Sequence, residues 1–244
     1  MMTYEERKEQ VRGFLGKTIK IRIDRPIGYE HVKEAYTLKY PVNYGYIPNV
    51  ISPDGEELDV YLLDVKEPVE EYTAFIIGIV HRENDVEDKL IAVPDAFSLM
   101  TKEQIEETIK FQEQYYDTHI EMLDIKTYDC TAQNCKVSGL PQDVFDEYES
   151  RDSVSLYLGN DRFLLRTLND FSIWIKELEK VLEDYQIRLI YANTEHLRGE
   201  RGIFLALYHS MKHEHSEISS DVVFHLQMAI YQNKMEIKVV KIEI

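Results

Sequence analysis

Polar and apolar residues alternate along several short segments in the first half of the chain. From Lys17 to Asp24 the alternation has the two-residue period of a half-buried strand. The segment Arg25-Pro26-Ile27-Gly28 interrupts this pattern, because proline and glycine do not readily continue a β-ladder. The same reasoning predicts further strands at about 46–51, 58–64, 73–81 and 89–93.

Two helices are also predicted in this half. Residues 4–15 are a short charged helical segment that stops at Gly13 or Gly16. Thr101 lies three residues before Gln104 and begins a second helix with the capping-box pattern, in which the side chain of each residue bonds the backbone of the other. Several short strands followed by one closing helix predict a small β-barrel.

The second half of the chain has a different pattern. Residues 124–148 lose periodicity and collect turn-forming residues, which predicts a linker. Beyond it the patterns predict a hairpin around Gly159-Asn160-Asp161, an amphipathic helix from Asp170 to Tyr185, strands at 187–192 and 202–208, a helix from Ser219 or Ser220 to about Tyr231, and a final strand from Met235 to Ile244. The predicted organisation is a mainly β barrel domain at 1–123, the linker at 124–148, and a smaller α+β domain at 149–244.

Composition narrows the class of partner. The 244 residues carry 28 basic and 45 acidic side chains, a net charge of −17, which disfavours a nucleic-acid or anionic-membrane surface. We find no apolar run long enough to span a membrane and no signal peptide at the N-terminus. Cys130 and Cys135 are too few for a disulfide scaffold and are interpreted as free thiols. The expected location is the cytoplasm.

The candidate chemistry lies in two acidic segments beside a run of tyrosines. Residues 40–47 read Tyr-Pro-Val-Asn-Tyr-Gly-Tyr-Ile, residues 54–60 read Asp-Gly-Glu-Glu-Leu-Asp-Val, and the acidic run 83–88 leads into Lys89. Carboxylates at the ends of neighbouring strands can hold Mg²⁺, because hard cations take oxygen ligands. Taken singly, the tyrosines are also typical of strand packing, Asp54-Gly55 of a turn, and residues 83–88 of a solvated loop.

Four sequence motifs follow one another, in a fixed order and spacing, along residues 40–115. They are Tyr-Pro-x-Asn-Tyr-Gly-Tyr-Ile at 40–47, Asp-Gly-acid-x-x-Asp at 54–59, acid-x-Lys-x-x-Ala-Val-Pro at 87–94, and Phe111 to Tyr115. With these motifs, residues 17 to about 117 resemble the family I soluble inorganic pyrophosphatases. The resemblance implies a five-stranded barrel of the oligonucleotide-binding type, Mg²⁺ dependence with Mn²⁺ as the alternative ion, a small phosphate substrate, and assembly into a homo-oligomer.

The resemblance also implies roles for individual residues. The metal-binding positions are Asp54, Asp59 and Glu87, with Asp85 as a further candidate. The catalytic positions are Glu56, Lys89, Tyr44 and Tyr115. By resemblance, Glu56 helps to activate the attacking water, Lys89 neutralises the phosphate, and the two phenols contact it.

This sequence departs from the family pattern near the phosphate. Glutamate stands at 56 and 87 where the family has aspartate, and the hairpin before Tyr40 is shortened, so that Arg25 or Lys33 would have to replace the family's phosphate-binding cations. We expect Mg²⁺-dependent hydrolysis of inorganic pyrophosphate to two phosphates by metal-activated water. The alternatives are a hydrolase of another phosphate compound, such as a nucleotide, or a non-catalytic metal- and phosphate-binding module whose C-terminal domain binds a partner.

Overall fold

The computed structural model describes residues 4–32, 37–98, 100–133, 136–138, 153–165, 168–184 and 223–243. They form two compact units, Met1–Asp124 and Ile125–Ile244. The elements of the first unit are α1 (Tyr4–Arg12), β1 (Thr18–Arg25), β2 (Glu30–Val32), β3 (Thr37–Lys39), β4 (Asn43–Ile51), β5 (Glu57–Leu62), β6 (Glu71–Arg82), β7 (Lys89–Val93), α2 (Lys102–Glu113) and β8 (Thr118–Met122). Those of the second are β9 (Lys126–Gln133), β10 (Lys136–Ser138), β11 (Ser153–Leu158), β12 (Asp161–Leu165), α3 (Leu168–Glu183), β13 (Val223–Tyr231) and β14 (Lys234–Glu243).

Five strands of the first unit close into a barrel. The sheet runs β1-β4-β5-β7-β6-β8, and β1 also pairs with β6, which joins the two ends of the five-stranded part. All pairs in the ring are antiparallel except β5 with β7, which are parallel. The predicted barrel and its five strands are therefore confirmed.

Apolar side chains of alternate strand residues fill the barrel. Ile21, Val60, Leu62, Ile76 and Leu90 are buried together in one core cluster, which also takes up Val11 from α1. Strand β7 is buried along its whole length and β6 along its last nine residues. Burying one such side chain contributes about 1.5–3 kcal/mol, so this cluster supplies a large share of the stability of the unit.

Two residues of the Tyr-Pro-x-Asn-Tyr-Gly-Tyr segment are structural. A Cβ atom on Gly45 would lie 1.9 Å from the carbonyl oxygen of Arg22, so β1 and β4 can approach this closely only with glycine there. Asn43 is fully buried, and its amide donates to the carbonyl oxygens of Val65 and Glu67 at 3.3 and 2.8 Å. The segment thereby fixes the strand that carries Tyr44.

Helix α2 begins as predicted. The Thr101 side chain accepts a hydrogen bond from the Gln104 backbone at 3.2 Å, and the Gln104 side chain accepts one from the Thr101 backbone at 2.8 Å. Both halves of the capping box are present, so the sequence pattern is confirmed. The helix buries Ile105, Ile109 and Glu113.

The described part of the second unit consists of helix α3 and a six-stranded sheet in the order β10-β9-β13-β14-β11-β12. The predicted hairpin is confirmed as β11 and β12, joined at Gly159, which has a φ of 61°. The sequence pattern also predicts that Trp174, Leu178, Val181 and Leu182 form the apolar face of the amphipathic helix, now α3. Trp174, Leu178 and Leu182 are fully buried, which confirms this face, whereas Val181 is exposed.

Two predictions in this unit are wrong. Residues predicted as a helix from Ser219 or Ser220 to Tyr231 form strand β13 over Val223–Tyr231, because they pair with β9 on one side and β14 on the other. The predicted linker 124–148 contains β9 and β10, whose polar sequence carries little alternation but whose backbone pairs in the sheet. Further stretches lie outside the described residues: 134–135 with Cys135 and 139–148 of that linker, and the predicted strands at 187–192 and 202–208.

No helix within the described ranges is long and apolar enough to cross a membrane.

Candidate active site

Strands β4 and β5 bring the predicted phenol and carboxylate together. Tyr44 pairs with Tyr61 and Tyr46 with Asp59 across the antiparallel ladder, which places Tyr44 diagonally from Asp59. The Tyr44 side chain is fully buried, and its hydroxyl donates a hydrogen bond to Asp59 Oδ2. Burial and then the Asp59 carboxylate raise the pKa of Tyr44 well above its usual value, so the phenol keeps its proton.

Lys89 joins two carboxylates at the start of β7. Its Nζ lies 2.5 Å from Asp59 Oδ2 and 2.7 Å from Glu87 Oε2. The parallel pairing of Val60 with Leu90 sets Asp59 and Lys89 side by side, one residue earlier on each strand. The lysine side chain is only 2% exposed, so the ammonium depends on these two carboxylates for much of its charge compensation.

Asp54 and Glu56 lie on the turn that precedes β5. Asp54 Oδ1 accepts a hydrogen bond from the Glu56 backbone N–H at 2.9 Å, and Gly55 between them has a φ of 93°. This geometry is a side-chain-closed turn in which glycine takes the left-handed conformation. Both carboxylates are exposed.

The charges of this cluster act on Glu87. Burial raises the pKa of Glu87 to about 7, the Lys89 ammonium opposes the rise, and the carboxylates of Asp59 and Asp54 add to it. The influence of Asp54 shows that the turn carries its charge into the neighbourhood of Glu87. Of the eight predicted site residues, hydrogen bonds join four, Tyr44, Asp59, Glu87 and Lys89. Asp54 adds its charge to the effect on Glu87, and Glu56 lies beside Asp54 on the exposed turn.

Two predicted site residues lie apart from this group. Asp85 Oδ2 accepts a hydrogen bond from Arg82 Nη1 at 3.0 Å, so its carboxylate already has a cationic partner. Tyr115 follows α2 and is 68% exposed, and its backbone N–H donates to the Gln112 carbonyl oxygen at 3.4 Å.

Arg82 is a buried cation that the sequence interpretation did not include. Its guanidinium is held by Glu113 through two hydrogen bonds, of 2.9 and 2.6 Å, and lies 3.6 Å from the centroid of the Tyr116 ring. Tyr61 donates its hydroxyl to the same Glu113 carboxylate. Because the Tyr61 and Tyr44 rings are in edge contact at 4.9 Å, this network adjoins the site.

Arg25, which was predicted with Lys33 as a replacement for the family's phosphate-binding cations, lies at the end of β1 beside Asp24, which the sequence interpretation did not include. Lys33 lies outside the described residues. Arg25 Nη1 donates to the Tyr40 hydroxyl at 2.8 Å, and its guanidinium carbon lies 5.0 Å from the centroid of the Tyr44 ring. Burial raises the pKa of Asp24, the Arg25 guanidinium opposes the rise, and the Asp59 carboxylate adds to it. The sequence feature that could have identified Asp24 is its position next to Arg25, where two charged residues end a predicted strand directly before Pro26.

The donor chemistry around Asp59 suits a hard divalent cation. Asp54, Asp59 and Glu87 offer the carboxylate oxygens that Mg²⁺ takes as ligands, and the Asp59 and Asp54 carboxylates both add to the rise in the Glu87 pKa that burial causes. Within the described ranges, however, no three His, Cys, Asp or Glu side chains are arranged to hold a metal ion. The Lys89 ammonium lies between two of the carboxylates, so a cation that binds the same two oxygens, Asp59 Oδ2 and Glu87 Oε2, competes with it.

The fold and the site together define a class of protein. The first unit is a five-stranded barrel of the oligonucleotide-binding type whose strands β4, β5 and β7 carry a cluster of phenol, carboxylates and lysine. A sequence model of the inorganic pyrophosphatase family matches residues 14–140, more than half of the chain. The chain therefore belongs to the inorganic pyrophosphatase family, as the four motifs predicted.

Individual relatives match a shorter part of the chain. This chain is 32% identical over 85 residues to an inorganic pyrophosphatase of Bradyrhizobium diazoefficiens, and the match covers 29% of this chain and 48% of that protein. It is 32% identical over 88 residues to that of Campylobacter jejuni, covering 33% of this chain and 51% of the relative. The chain thus spans about half the length of the curated relatives it matches.

Solved structures of inorganic pyrophosphatases also match part of the chain. An inorganic pyrophosphatase from Ehrlichia chaffeensis is 18% identical and covers 44% of this chain and 87% of its own, with a TM-score of 0.36. One from Neisseria gonorrhoeae is 23% identical and covers 41% of this chain and 74% of its own, with a TM-score of 0.33.

Proposed function

We propose that this protein hydrolyses inorganic pyrophosphate to two phosphates, with Mg²⁺ as its cofactor and Mn²⁺ as an alternative. The observation that carries the proposal is the position of Asp59, which accepts hydrogen bonds from both Tyr44 and Lys89 at the centre of the carboxylate cluster. Family membership over residues 14–140 supports the same substrate. The chain spans only about half of its relatives' length, so the activity itself is the part to be tested.

The residues divide the work according to their chemistry. Asp54, Asp59 and Glu87 would hold Mg²⁺, which when bound lowers the pKa of water and offsets the charge of the phosphates. Tyr44 holds Asp59 in one orientation through its hydroxyl. Lys89, once it leaves its carboxylate partners, presents an ammonium to a phosphate oxygen.

Two glutamates act on protons. Glu87 has a pKa of about 7 without metal, so it exchanges its proton near neutral pH and becomes a better ligand as the charge of a cation lowers that value. Glu56 lies at the exposed tip of the turn, where its carboxylate accepts a proton from the attacking water. The two glutamates thus supply the base and one ligand of the proposed reaction.

The decisive assay is phosphate release from pyrophosphate in the presence of Mg²⁺. Asp59→Asn keeps the shape of the side chain but removes the charge that binds Lys89 and the cation, and we expect activity to fall by at least about 100-fold. The matched control is Asp64→Asn, since Asp64 is an exposed residue that follows β5 and forms an ion pair with the exposed Lys66. Equal activity of the Asp59→Asn variant and the wild type would remove the assignment.

A second candidate function is favoured by one observation. Lys89 forms ion pairs with Asp59 and Glu87, and Arg82 forms one with Asp85, so cations of the protein itself already neutralise part of the acidic cluster. Such a site suits either a larger phosphate compound, such as a nucleotide, or metal and phosphate binding without turnover. A substrate panel separates these: pyrophosphate as the fastest substrate by a wide margin excludes the first, and turnover abolished by Asp59→Asn excludes the second.

The proposal extends to organisation and location. We assign the site to a barrel domain at 1–123 and treat 149–244 as a separate α+β domain, in a cytoplasmic homo-oligomer. The acidic surface and the scarcity of cysteine agree with a cytoplasmic protein. Light scattering of the purified chain measures the number of subunits, and a mass equal to one chain at micromolar concentration would contradict the oligomer.

A further inference from the structure

We propose that Arg82 is a positioning residue of the candidate site, which fixes the acidic loop, residues 83–88, so that Glu87 lies beside Lys89 before a metal ion binds. This role rests on the proposed function, because Glu87 is one of the carboxylates that would hold Mg²⁺. Arg82 ends β6 and lies outside the four family motifs. It acts through the loop and not on the substrate itself.

The acidic loop folds around the Arg82 guanidinium. Arg82 Nη1 donates to Asp85 Oδ2 at 3.0 Å, and the other oxygen of that carboxylate, Oδ1, accepts a hydrogen bond from the Val86 backbone N–H at 2.8 Å. The Asp85 side chain is thus fixed from both sides, by the guanidinium and by the backbone of the loop. Val86 directly precedes Glu87, so this contact sets the course of the chain into the candidate ligand.

The residue after Glu87 is anchored as well. The Asp88 carboxylate is fully buried, accepts a hydrogen bond from the Arg82 backbone N–H at 3.1 Å, and lies 3.0 Å from Arg7 Nη2. These contacts of Asp88 do not involve the Arg82 side chain. Substitution of that side chain therefore removes the Asp85 anchor and leaves the Asp88 anchor in place.

The guanidinium is itself held in one orientation. Hydrogen bonds of 2.9 and 2.6 Å join its Nε and Nη2 to the Glu113 carboxylate of α2, and the Tyr116 ring centroid lies 3.6 Å from its central carbon. The side chain is only 2% exposed. A guanidinium bound through two donors is fixed in its plane, whereas the ammonium of Lys89 is a point charge on a flexible stem. Arg82 is therefore a fixed internal cation.

The acidic loop needs such a counter-charge. Four of its six residues are acidic, namely Glu83, Asp85, Glu87 and Asp88. Carboxylates this close repel one another, and a cation among them reduces the repulsion. Because Arg82 supplies that charge from within the protein, the loop is formed and Glu87 is in place before a metal ion arrives. A ligand group that is already held in position loses less conformational freedom on binding, which strengthens the binding.

Two variants break the contact from its two sides. In Arg82→Lys the ammonium keeps a positive charge beside Glu113, but it cannot reproduce two bonds to Glu113 and one to Asp85. Asp85→Ala removes the loop's half of the contact and leaves the buried pair of Arg82 and Glu113 intact. The matched control is Arg12→Lys, since Arg12 also contacts both oxygens of a glutamate, Glu121 at 3.0 Å, but joins α1 to β8.

Hydrogen exchange of the full chain in metal-free buffer with EDTA measures the order of the loop without turnover. We expect both variants to exchange the 83–88 amides about 10- to 100-fold faster than the wild type, the effect of losing a hydrogen bond to a charged group. The β5 amides should exchange as in the wild type. Calorimetric titration with Mg²⁺ should give an affinity about 10-fold weaker, because the cation then has to order the loop. The two substitutions together should add little, since they remove one contact.

Unchanged loop exchange in Arg82→Lys overturns the positioning role, and so does an increase that extends equally to β5, which indicates a general loss of stability. Faster exchange with unchanged Mg²⁺ affinity also overturns it. Weaker Mg²⁺ binding in Asp85→Ala with normal loop exchange identifies Asp85 as a metal ligand and overturns it too. Faster loop exchange with weaker Mg²⁺ binding in both variants, and neither change in Arg12→Lys, supports the role even if the wild type hydrolyses no pyrophosphate. In that case the proposed function alone fails.

Discussion

Lys89→Met tests whether the buried lysine holds the acidic cluster together in the absence of metal. Methionine has a similar length and an apolar stem, so it fills the space of Lys89 but cannot bond Asp59 or Glu87. The variant leaves two carboxylates without the ammonium that now neutralises them. We expect the first unit to be less stable without Mg²⁺ and more responsive to Mg²⁺.

The size of the loss follows from the exposure of the partners. Breaking a buried ion pair by removing one partner costs about 3–5 kcal/mol. The Asp59 side chain is 24% exposed and can regain water, and Glu87, whose pKa is already about 7, can take up a proton. Both effects reduce the cost, so we expect the free energy of unfolding to fall by about 3 kcal/mol.

The response to Mg²⁺ should change in the opposite direction. In the wild type, a cation competes with the ammonium for Asp59 and Glu87, whereas in Lys89→Met it does not. A tenfold gain in Mg²⁺ affinity would increase the stabilisation at saturating Mg²⁺ by about 1.4 kcal/mol. Pyrophosphate hydrolysis should nevertheless fall, because the ammonium is no longer available to a phosphate oxygen.

Urea unfolding with and without Mg²⁺ measures both the loss of stability and the stabilisation by Mg²⁺. Hydrogen exchange of the β5 and β7 amides follows the barrel. Trp174 lies in the second unit, so its fluorescence follows that unit instead. The control is Lys66→Met, since Lys66 is 81% exposed and surface ion pairs contribute about 0–1 kcal/mol. The reasoning is refuted if Lys89→Met destabilises no more than the control, or if its Mg²⁺ response equals that of the wild type.

Two further predictions concern the networks around the barrel. Glu113→Gln removes the charge that holds the buried guanidinium of Arg82, and urea unfolding should show a loss of about 3 kcal/mol; the exposed Glu107→Gln on the same helix is the control, and equal effects would contradict the role of the buried pair. Burial alone raises the pKa of Glu121, but hydrogen bonds from His81 and Arg12 lower it overall. The stabilisation from this carboxylate is therefore complete above its ordinary pKa of ~4.3, and it is lost as the pH falls through the lower pKa of the folded state. The stability difference between the wild type and Glu121→Gln should therefore shrink in acid, and a difference that grows below pH ~4 would contradict this linkage.

Local patterns in the sequence determined most of the barrel. The local patterns predicted all five barrel strands. In β1 the two-residue alternation appears directly because one face lies in the core, whereas β7 is a short apolar run that is buried along its whole length. The Thr101 capping box predicted the start of α2 for the same reason, since its two hydrogen bonds join residues three apart. Motif spacing then identified Tyr44, Asp59, Glu87 and Lys89, which the structure brings together.

Tertiary pairing decided what local patterns could not. Residues 223–231 were predicted as part of a helix but form strand β13. They are extended because they pair with β9 and β14, and this pairing is not visible in a local sequence pattern. Asp85 was predicted beside the metal, but it pairs with Arg82, and Arg82 is itself fixed by Glu113 from a distant helix. Arg25 faces Tyr44 only because a bulge adds one residue to its strand. Strand alternation is written in neighbouring residues, whereas ladder register and ion-pair partners depend on segments far apart in the chain, which only the folded structure brings into contact.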